Sequence, residues 1–257
     1  VTTSYDCSDP ALRSEGLAAA QRAVSLKQCI VLPTDTVYGI GADAFSPQAV
    51  ATLLASKGRG RNMPPPVLIP RIQTLDGLAT DVHPDARRLA EAFWPGGLTL
   101  ICLAQPSLTW DLGDTLGTVA LRMPDDALAL ELLTLTGPLA VSSANRTGHP
   151  AARTAAEAAE QLAESVAVYL DAGPRTDAGG TGSTIVDTTG ETLRVVRQGT
   201  VSLEQLREVV PGVVGVDGGA PAAGAPDAPA AGAASGAPAA GAERPPAGTP
   251  DEPTVGA

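Results

Sequence analysis

Histidine, cysteine and aromatic residues are scarce in this 257-residue chain, which has two His, three Cys, two Trp, three Tyr and two Phe. That scarcity removes several chemistries at once. Cys7, Cys29 and Cys102 are widely spaced with no C-x-x-C pair, so neither a disulfide framework nor a thiolate zinc site is implied. Reduced thiols in a cytoplasmic protein are the expectation, with Cys29 and Cys102 inside apolar runs as core residues. Only His83 and His149 are available as a base, and there is no G-x-S-x-G elbow, so a serine-hydrolase reading fails. Both His residues precede proline and are expected in surface loops. The G-x-x-x-x-G-K-[ST] spacing and the G-x-G-x-x-G context are also missing, which excludes a Walker loop and a dinucleotide fingerprint. No apolar run approaches the ~18 residues of a membrane span. The stretch Val1-Thr2-Thr3-Ser4-Tyr5-Asp6 has no basic or apolar leader character, so neither export nor membrane insertion is expected.

The last 46 residues lack aromatics, and beyond four Val they lack large aliphatics; 33 of the 46 are Ala, Gly or Pro. Such a stretch cannot bury enough apolar surface to offset its ordering entropy. Pro221, Pro226, Pro229 and Pro238 interrupt any helix its alanines would favour. The sequence therefore divides into one domain over residues 1–211 and a disordered low-complexity tail over 212–257. Five carboxylates against Arg244 give the tail a net charge of −4, which leaves −7 of the total −11 on the domain. An acidic domain is a poor general binder of nucleic acid. A locally basic cleft can still take a small anion, so a phosphorylated small molecule is favoured over a polymer.

Within the domain, apolar runs alternate with polar loops. Helical spacing covers residues 14–27 with Ser14 as N-cap, 46–56 from Ser46-Pro47, 85–93, 125–135, 154–164 with Thr154 as cap, and 203–209. Strand-like runs cover 29–32, 67–69, 98–103, 119–122, 139–141, 166–170, 184–186 and 193–196. Strands outnumber crossover helices, which predicts an α/β domain on a mixed sheet with antiparallel neighbours near its end.

Several loops are cut short by Gly or Pro and rich in hydroxyl or cationic groups, which an open sheet gathers into one crevice beyond its strand ends. Pro33-Thr34-Asp35-Thr36-Val37-Tyr38-Gly39 follows a strand. It places short polar groups there, and its Gly39, with Gly41, permits close backbone approach. Lys57-Gly58-Arg59-Gly60-Arg61-Asn62-Met63-Pro64 concentrates three cations in an acidic domain. That pattern suits phosphate oxygens, or a solvated basic turn at a helix C-terminus. Thr118 and Arg122 stand four apart on a strand and share a face, where Arg122 could instead pair with a local carboxylate such as Asp125. Ser142-Ser143-Ala144-Asn145 ends another strand, Gly179-Gly180-Thr181-Gly182-Ser183-Thr184-Ile185-Val186-Asp187 enters one, and Arg194-Val195-Val196-Arg197-Gln198-Gly199 closes the series.

Taken in order over residues 12–210, these segments resemble the YrdC-like threonylcarbamoyl-AMP synthases. The resemblance implies a single α/β domain on a twisted mixed open sheet with a deep cleft. It implies an enzyme that joins L-threonine, bicarbonate or CO2 and ATP into L-threonylcarbamoyl-AMP, releasing pyrophosphate. It puts Thr36, Leu68, Arg122, Ser143 and Ser183 on L-threonine, with Arg122 holding the carboxylate. Lys57, Arg59, Met63, Thr118, Asn145, Arg153 and Arg197 fall to the nucleotide, with Lys57 and Arg59 as the catalytic phosphate ligands and Asn62 in the same lining stretch. Mg2+ is expected on the ATP phosphates rather than on protein ligands. The chain departs from the family pattern at Gly60, where proline is common, and at Leu68, polar in some members. The product would pass to a tRNA threonylcarbamoyltransferase. Two other classes are an RNA-binding module of the same pathway, for which the acidic domain predicts weak, salt-sensitive tRNA binding, and the carbamoyltransferase of hydrogenase maturation. The latter is much longer and carries zinc-binding Cys clusters and acylphosphatase-like segments that this chain lacks.

Overall fold

A computed structural model describes residues 2–176 and 181–218. Among these residues eleven strands form one sheet: β1 (Thr3–Asp6), β2 (Ile30–Leu32), β3 (Gly39–Asp43), β4 (Val67–Leu68), β5 (Ala79–Thr80), β6 (Leu98–Ala104), β7 (Thr118–Arg122), β8 (Leu139–Ser143), β9 (Val168–Asp171), β10 (Thr184–Asp187) and β11 (Arg194–Arg197). Their spatial order is β1-β9-β2-β3-β8-β4-β7-β6-β10-β11, with β5 pairing β6 off this path. Antiparallel pairs occur throughout (β2 with β3, β3 with β8, β4 with β8, β6 with β7), not only at the β10–β11 end. The mixed sheet expected from strand and helix counts is therefore present, and more evenly mixed than expected.

Among the described residues seven α-helices flank it: α1 (Pro10–Ser25), α2 (Pro47–Lys57), α3 (Thr74–Leu78), α4 (Pro84–Phe93), α5 (Ala127–Thr136), α6 (Ala155–Leu162) and α7 (Leu203–Val209). Leu17, Ala20 and Val24 of α1 and Leu128, Leu132 and Leu133 of α5 pack on one face against Ile30, Leu32, Leu139, Val141 and Leu170. Leu53, Leu89, Leu162 and Leu206 of α2, α4, α6 and α7 cover the other face, over Val31, Ile40, Leu100, Leu121 and Val186.

Capping chemistry corrects several boundaries. Asp9, not Ser14, starts α1: its carboxylate accepts the Ala11 and Leu12 N–H groups at 2.8 and 3.1 Å, and Pro10 occupies the first turn. Asp126 caps α5. His83 is not a free loop residue; its Nδ1 accepts the Asp85 N–H at 3.1 Å and caps α4. His149 is exposed, as expected. Ser46, Thr154 and Ser202 cap α2, α6 and α7, the last with a reciprocal bond from Gln205.

Four elements carry no strong pattern in the sequence: β1, β3, α3 and β5. The glycines of β3 are packing residues. A Cβ on Gly39 would lie 2.5 Å from Val141 Cγ1, and one on Gly41 would lie 3.1 Å from Leu32 Cδ2. Strand β8 continues through Ser142 and Ser143, which pair with Ile40 and Gly39, so these serines belong to the sheet and not to a following loop. Packing continues past residue 211: Val213 is 1% exposed, and Val214 exchanges backbone bonds with Leu193 and Val195. Cys7, Cys29 and Cys102 are buried free thiols. No described helix is long and apolar enough to cross a membrane. Gly179, Gly180 and residues 219–257 lie outside the described set.

Candidate active site

Registers across the sheet place Gly39, Val141, Ser143, Leu68, Arg122, Thr99, Ile185 and Asp187 on one face. Helices α1 and α5 cover this face from β9 to β4. A cavity opens beside their edge, lined by Thr36, Leu68, Arg122, Ser143, Ser183 and Arg197, together with Thr34, Tyr38 and Thr99. All five residues assigned to L-threonine by resemblance thus line one cavity.

The loop after β2 is folded by its own hydroxyls. Thr34 Oγ1 donates to the Val37 carbonyl at 2.6 Å and accepts the Thr36 and Val37 N–H groups, which is a Ser/Thr turn closed on itself. Tyr38 is fully buried, and its hydroxyl donates to the Gly173 carbonyl at 2.8 Å and accepts the Ala172 N–H at 3.0 Å. The tyrosine anchors the loop through its hydroxyl, with the Arg175 guanidinium 5.6 Å over its ring.

Arg122 reaches into the cavity from the end of β7. Its Nε donates to the Gly96 carbonyl at 3.0 Å, one Nη to Thr36 Oγ1 at 3.1 Å and the other to Asp35 Oδ1 at 2.6 Å. Its carboxylate partner is Asp35 and not Asp125, whose backbone N–H also donates to Asp35. Burial lowers the Arg122 pKa, and Asp35 opposes that shift. Arg197, at the end of β11, donates through Nε and Nη to the Ser183 carbonyl and through Nη to Ser183 Oγ. Burial pushes its pKa down to about 10, with the charges of Arg122 and Arg59 adding to the shift. Three guanidiniums therefore gather in one region, with Arg122 paired to Asp35 and Arg197 near enough to feel the charges of Arg122 and Arg59.

Lys57 and Arg59 lie behind the cavity wall. Lys57 is 1% exposed at the C-terminus of α2. Its Nζ donates to the Ser143 carbonyl, to the Asn145 carbonyl at 2.6 Å and to Asn145 Oδ1 at 3.3 Å. Burial, with Arg59 adding, brings its pKa down to about 7. Asn145 Nδ2 in turn holds the Arg146 and His149 carbonyls, so Lys57 and Asn145 together fix the strand-end serines. Arg59 donates to Ser142 Oγ at 3.1 Å, and burial lowers its pKa to about 10.

Thr118 shares the face of Arg122, as strand alternation requires, but lines a separate depression of about 190 Å³ with Pro64, Ile101, Leu112 and Asp187. Arg61 bridges the cationic loop to Asp111 and Asp114 and is exposed. Met63 is half-buried against the core, and Asn62 is exposed. Arg153 stands apart on the surface, its Nε bonded to the Arg175 carbonyl. Sequence reasoning missed Thr99, which is fully buried with Oγ1 2.8 Å from Ser183 Oγ. A hydroxyl inside the apolar run Leu98-Thr99-Leu100-Ile101 was its only signal.

A sequence profile for the Sua5/YciO/YrdC family, described as telomere recombination, matches residues 23–199. A Mycobacterium tuberculosis protein provisionally named a threonylcarbamoyl-AMP synthase is 54% identical over 210 residues, covering 82% of this chain and 96% of that protein. Threonylcarbamoyl-AMP synthase of Bacillus subtilis is 35% identical over 223 residues, covering 85% of this chain and 62% of its own length. Pyrococcus abyssi Sua5, solved with L-threonine, superposes with a TM-score of 0.74 at 32% identity, covering 77% of this chain and 58% of that one. This chain thus spans nearly all of the mycobacterial relative and somewhat more than half of the archaeal protein. Fold, ordered motifs and overall identity agree, and the chain belongs to the Sua5/YciO/YrdC family.

Proposed function

We propose that L-threonine sits in the cavity between Thr36, Arg122 and Ser183 while ATP lies along the open half of the same face. The activity is threonylcarbamoyl-AMP synthesis in the pathway of tRNA threonylcarbamoyladenosine. The observation that carries the site assignment is the convergence on one cavity of Thr36, Leu68, Arg122, Ser143 and Ser183, with Arg197 in the same lining and Arg59 bonded to Ser142 of its wall. Buried like charges are held at a cost, and a bound carboxylate and polyphosphate would offset it. Four residues of strand separate Arg122 from Thr118, roughly 13 Å. That length suits a nucleotide with phosphates beside the arginines and its nucleoside in the depression at Thr118.

In the reaction, the threonine amine adds to CO2 and loses a proton, giving a carbamate. A carbamate oxygen then attacks the α-phosphorus of ATP, and pyrophosphate leaves. The protein contributes positioning and charge. Confining a short-lived carbamate beside ATP supplies effective concentration, and guanidiniums face the charge that develops on pyrophosphate. Lys57 acts through the Ser143–Asn145 segment that it holds. The cavity's donors are N–H and hydroxyl groups, which fit phosphate oxygens better than a cation, so Mg2+ would be carried by the ATP phosphates and would neutralise part of their charge. The product passes to a tRNA threonylcarbamoyltransferase, and direct tRNA binding is weak on this acidic domain.

The test is pyrophosphate release from ATP, Mg2+, bicarbonate and threonine, omitting each in turn, with the product identified by mass. Release that requires both threonine and bicarbonate supports the reading. Release that ignores threonine would overturn it.

A further inference from the structure

The buried ion pair between Asp35 and Arg122 bears directly on how a ligand carboxylate is met. Arg122 has five N–H donors, and three are engaged: by the Gly96 carbonyl, Thr36 Oγ1 and Asp35 Oδ1. Among the described residues the two that remain, one on each terminal nitrogen, have no partner and are available to a carboxylate. Their direction depends on what fixes the guanidinium plane. Gly96 and Thr36 offer neutral acceptors at 3.0 and 3.1 Å, while Asp35 offers a charged one at 2.6 Å. Asp35 Oδ1 also accepts the Asp125 N–H at 3.0 Å, which ties the turn after β7 to the loop after β2. Asp35 does not itself line the cavity.

We infer that Asp35 is a positioning residue of the amino-acid pocket: it holds the Arg122 guanidinium with its two remaining N–H groups presented to the α-carboxylate of L-threonine. This rests on the threonine reading of the cavity. Arg122 without Asp35 would keep its charge and lose its fixed plane, so affinity for a carboxylate would fall more than affinity for the nucleotide. The side chain of Asp35 acts through Arg122 and takes no proton in the reaction.

The inference is tested with Asp35→Asn, which keeps an Oδ1 acceptor for Asp125 and removes the charge. Calorimetry of L-threonine binding to the full chain separates the two layers. Wild-type protein that binds no threonine would overturn the cavity reading and this inference with it. Wild-type protein that binds threonine, with Asp35→Asn binding it equally well, would overturn the inference alone. The expected result is a loss of about tenfold or more in threonine affinity, with KM for ATP within about twofold of wild type, for a plane-fixing charge-assisted bond. In an Arg122→Ala background the same substitution adds no further loss, because coupled residues are non-additive. Multiplying losses in the double variant would contradict the inference. Should Asp35→Asn fail to fold, Asp35→Glu, which keeps the charge but displaces it by one methylene, carries the same selective effect on threonine over ATP.

Discussion

One face of the sheet is solved in two ways. From β9 to β4 it is covered by α1 and α5 and is mostly Leu, Ile and Val with Gly on β3, the polar exceptions being Asp43 and Ser143 at strand ends. From β7 to β10 the same face carries Thr99, Thr118, Arg122 and Asp187, and it opens into the cavity and the depression beside it. The covered half gains stability from apolar burial. The open half, with β11 at its edge, holds the cations Arg122 and Arg197, whose pKa values are lowered by burial. Stability and function are therefore separable by half, although the strands are continuous.

The largest expected effect lies in the covered half. Leu132 is fully buried in α5, and Leu132→Ala should cost about 2–5 kcal/mol of stability through a cavity that neighbours only partly fill. Urea denaturation measures that loss, and turnover per folded molecule should stay near wild type. The opposite separation is expected in the open half. Arg197→Met should lower kcat/KM for pyrophosphate release by about 10²–10³-fold, the scale of a lost oxyanion donor. Its melting midpoint should fall by less than that of Leu132→Ala, because relief of the repulsion with Arg122 and Arg59 offsets part of the loss of its bonds to Ser183. An Arg197→Met protein that is fully active but unstable would erase the division between the halves.

The same division explains what was legible in the sequence. Apolar periodicity located β6, β8 and the helices α2, α4, α6 and α7 closely, because burial against a layer imposes a period. It missed β3, where glycine replaces side chains so that Leu32 and Val141 can close over the backbone. It also missed β1, whose four residues are mostly exposed at the sheet edge. A hydroxyl preceding apolar spacing is a common cap signal and favours Ser14, whereas Asp9-Pro10 is the stronger one in the structure. In the site, residues on strand-end loops could be matched to a family. Thr99 sits mid-strand and Asp35 acts on another residue, so neither carries a local pattern. That Lys57 spends its amine on the Ser143 and Asn145 carbonyls is a tertiary fact with no sequence counterpart.

Lys57, which holds the end of β8 beside the cavity, has a pH signature of its own. Its pKa falls from 10.5 in a solvated lysine to about 7 in the fold. Between those values the unfolded chain holds a proton that the folded chain lacks, so stability rises with pH from about 7 to 10.5 and is lost as pH falls through the lower value. The slope contributed by one such group is at most about 1.4 kcal/mol per pH unit. Urea midpoints of wild type and Lys57→Met should diverge between neutral and alkaline pH, with wild type gaining. Parallel curves would mean that Lys57 stays charged in the fold, its carbonyl partners outweighing its burial.

The smallest effect is the most diagnostic, because it converts one half into the other. Thr99→Val changes a hydroxyl for a methyl at constant shape and leaves β-propensity as good or better. In the covered half such a change should be neutral or stabilising. On β6 it strips Ser183 Oγ of its partner at 2.8 Å and leaves it only the Nη contact from Arg197 at 3.2 Å. A net loss of about 1 kcal/mol, or about fivefold in kcat/KM, is expected for one hydroxyl bond, with threonine KM bearing more of it than ATP KM. Thr99→Ser, which restores the hydroxyl and drops the methyl, should recover most of the activity. A Thr99→Val protein that is both more stable and fully active would place Thr99 with the covered half, and the open half would then begin at Arg122.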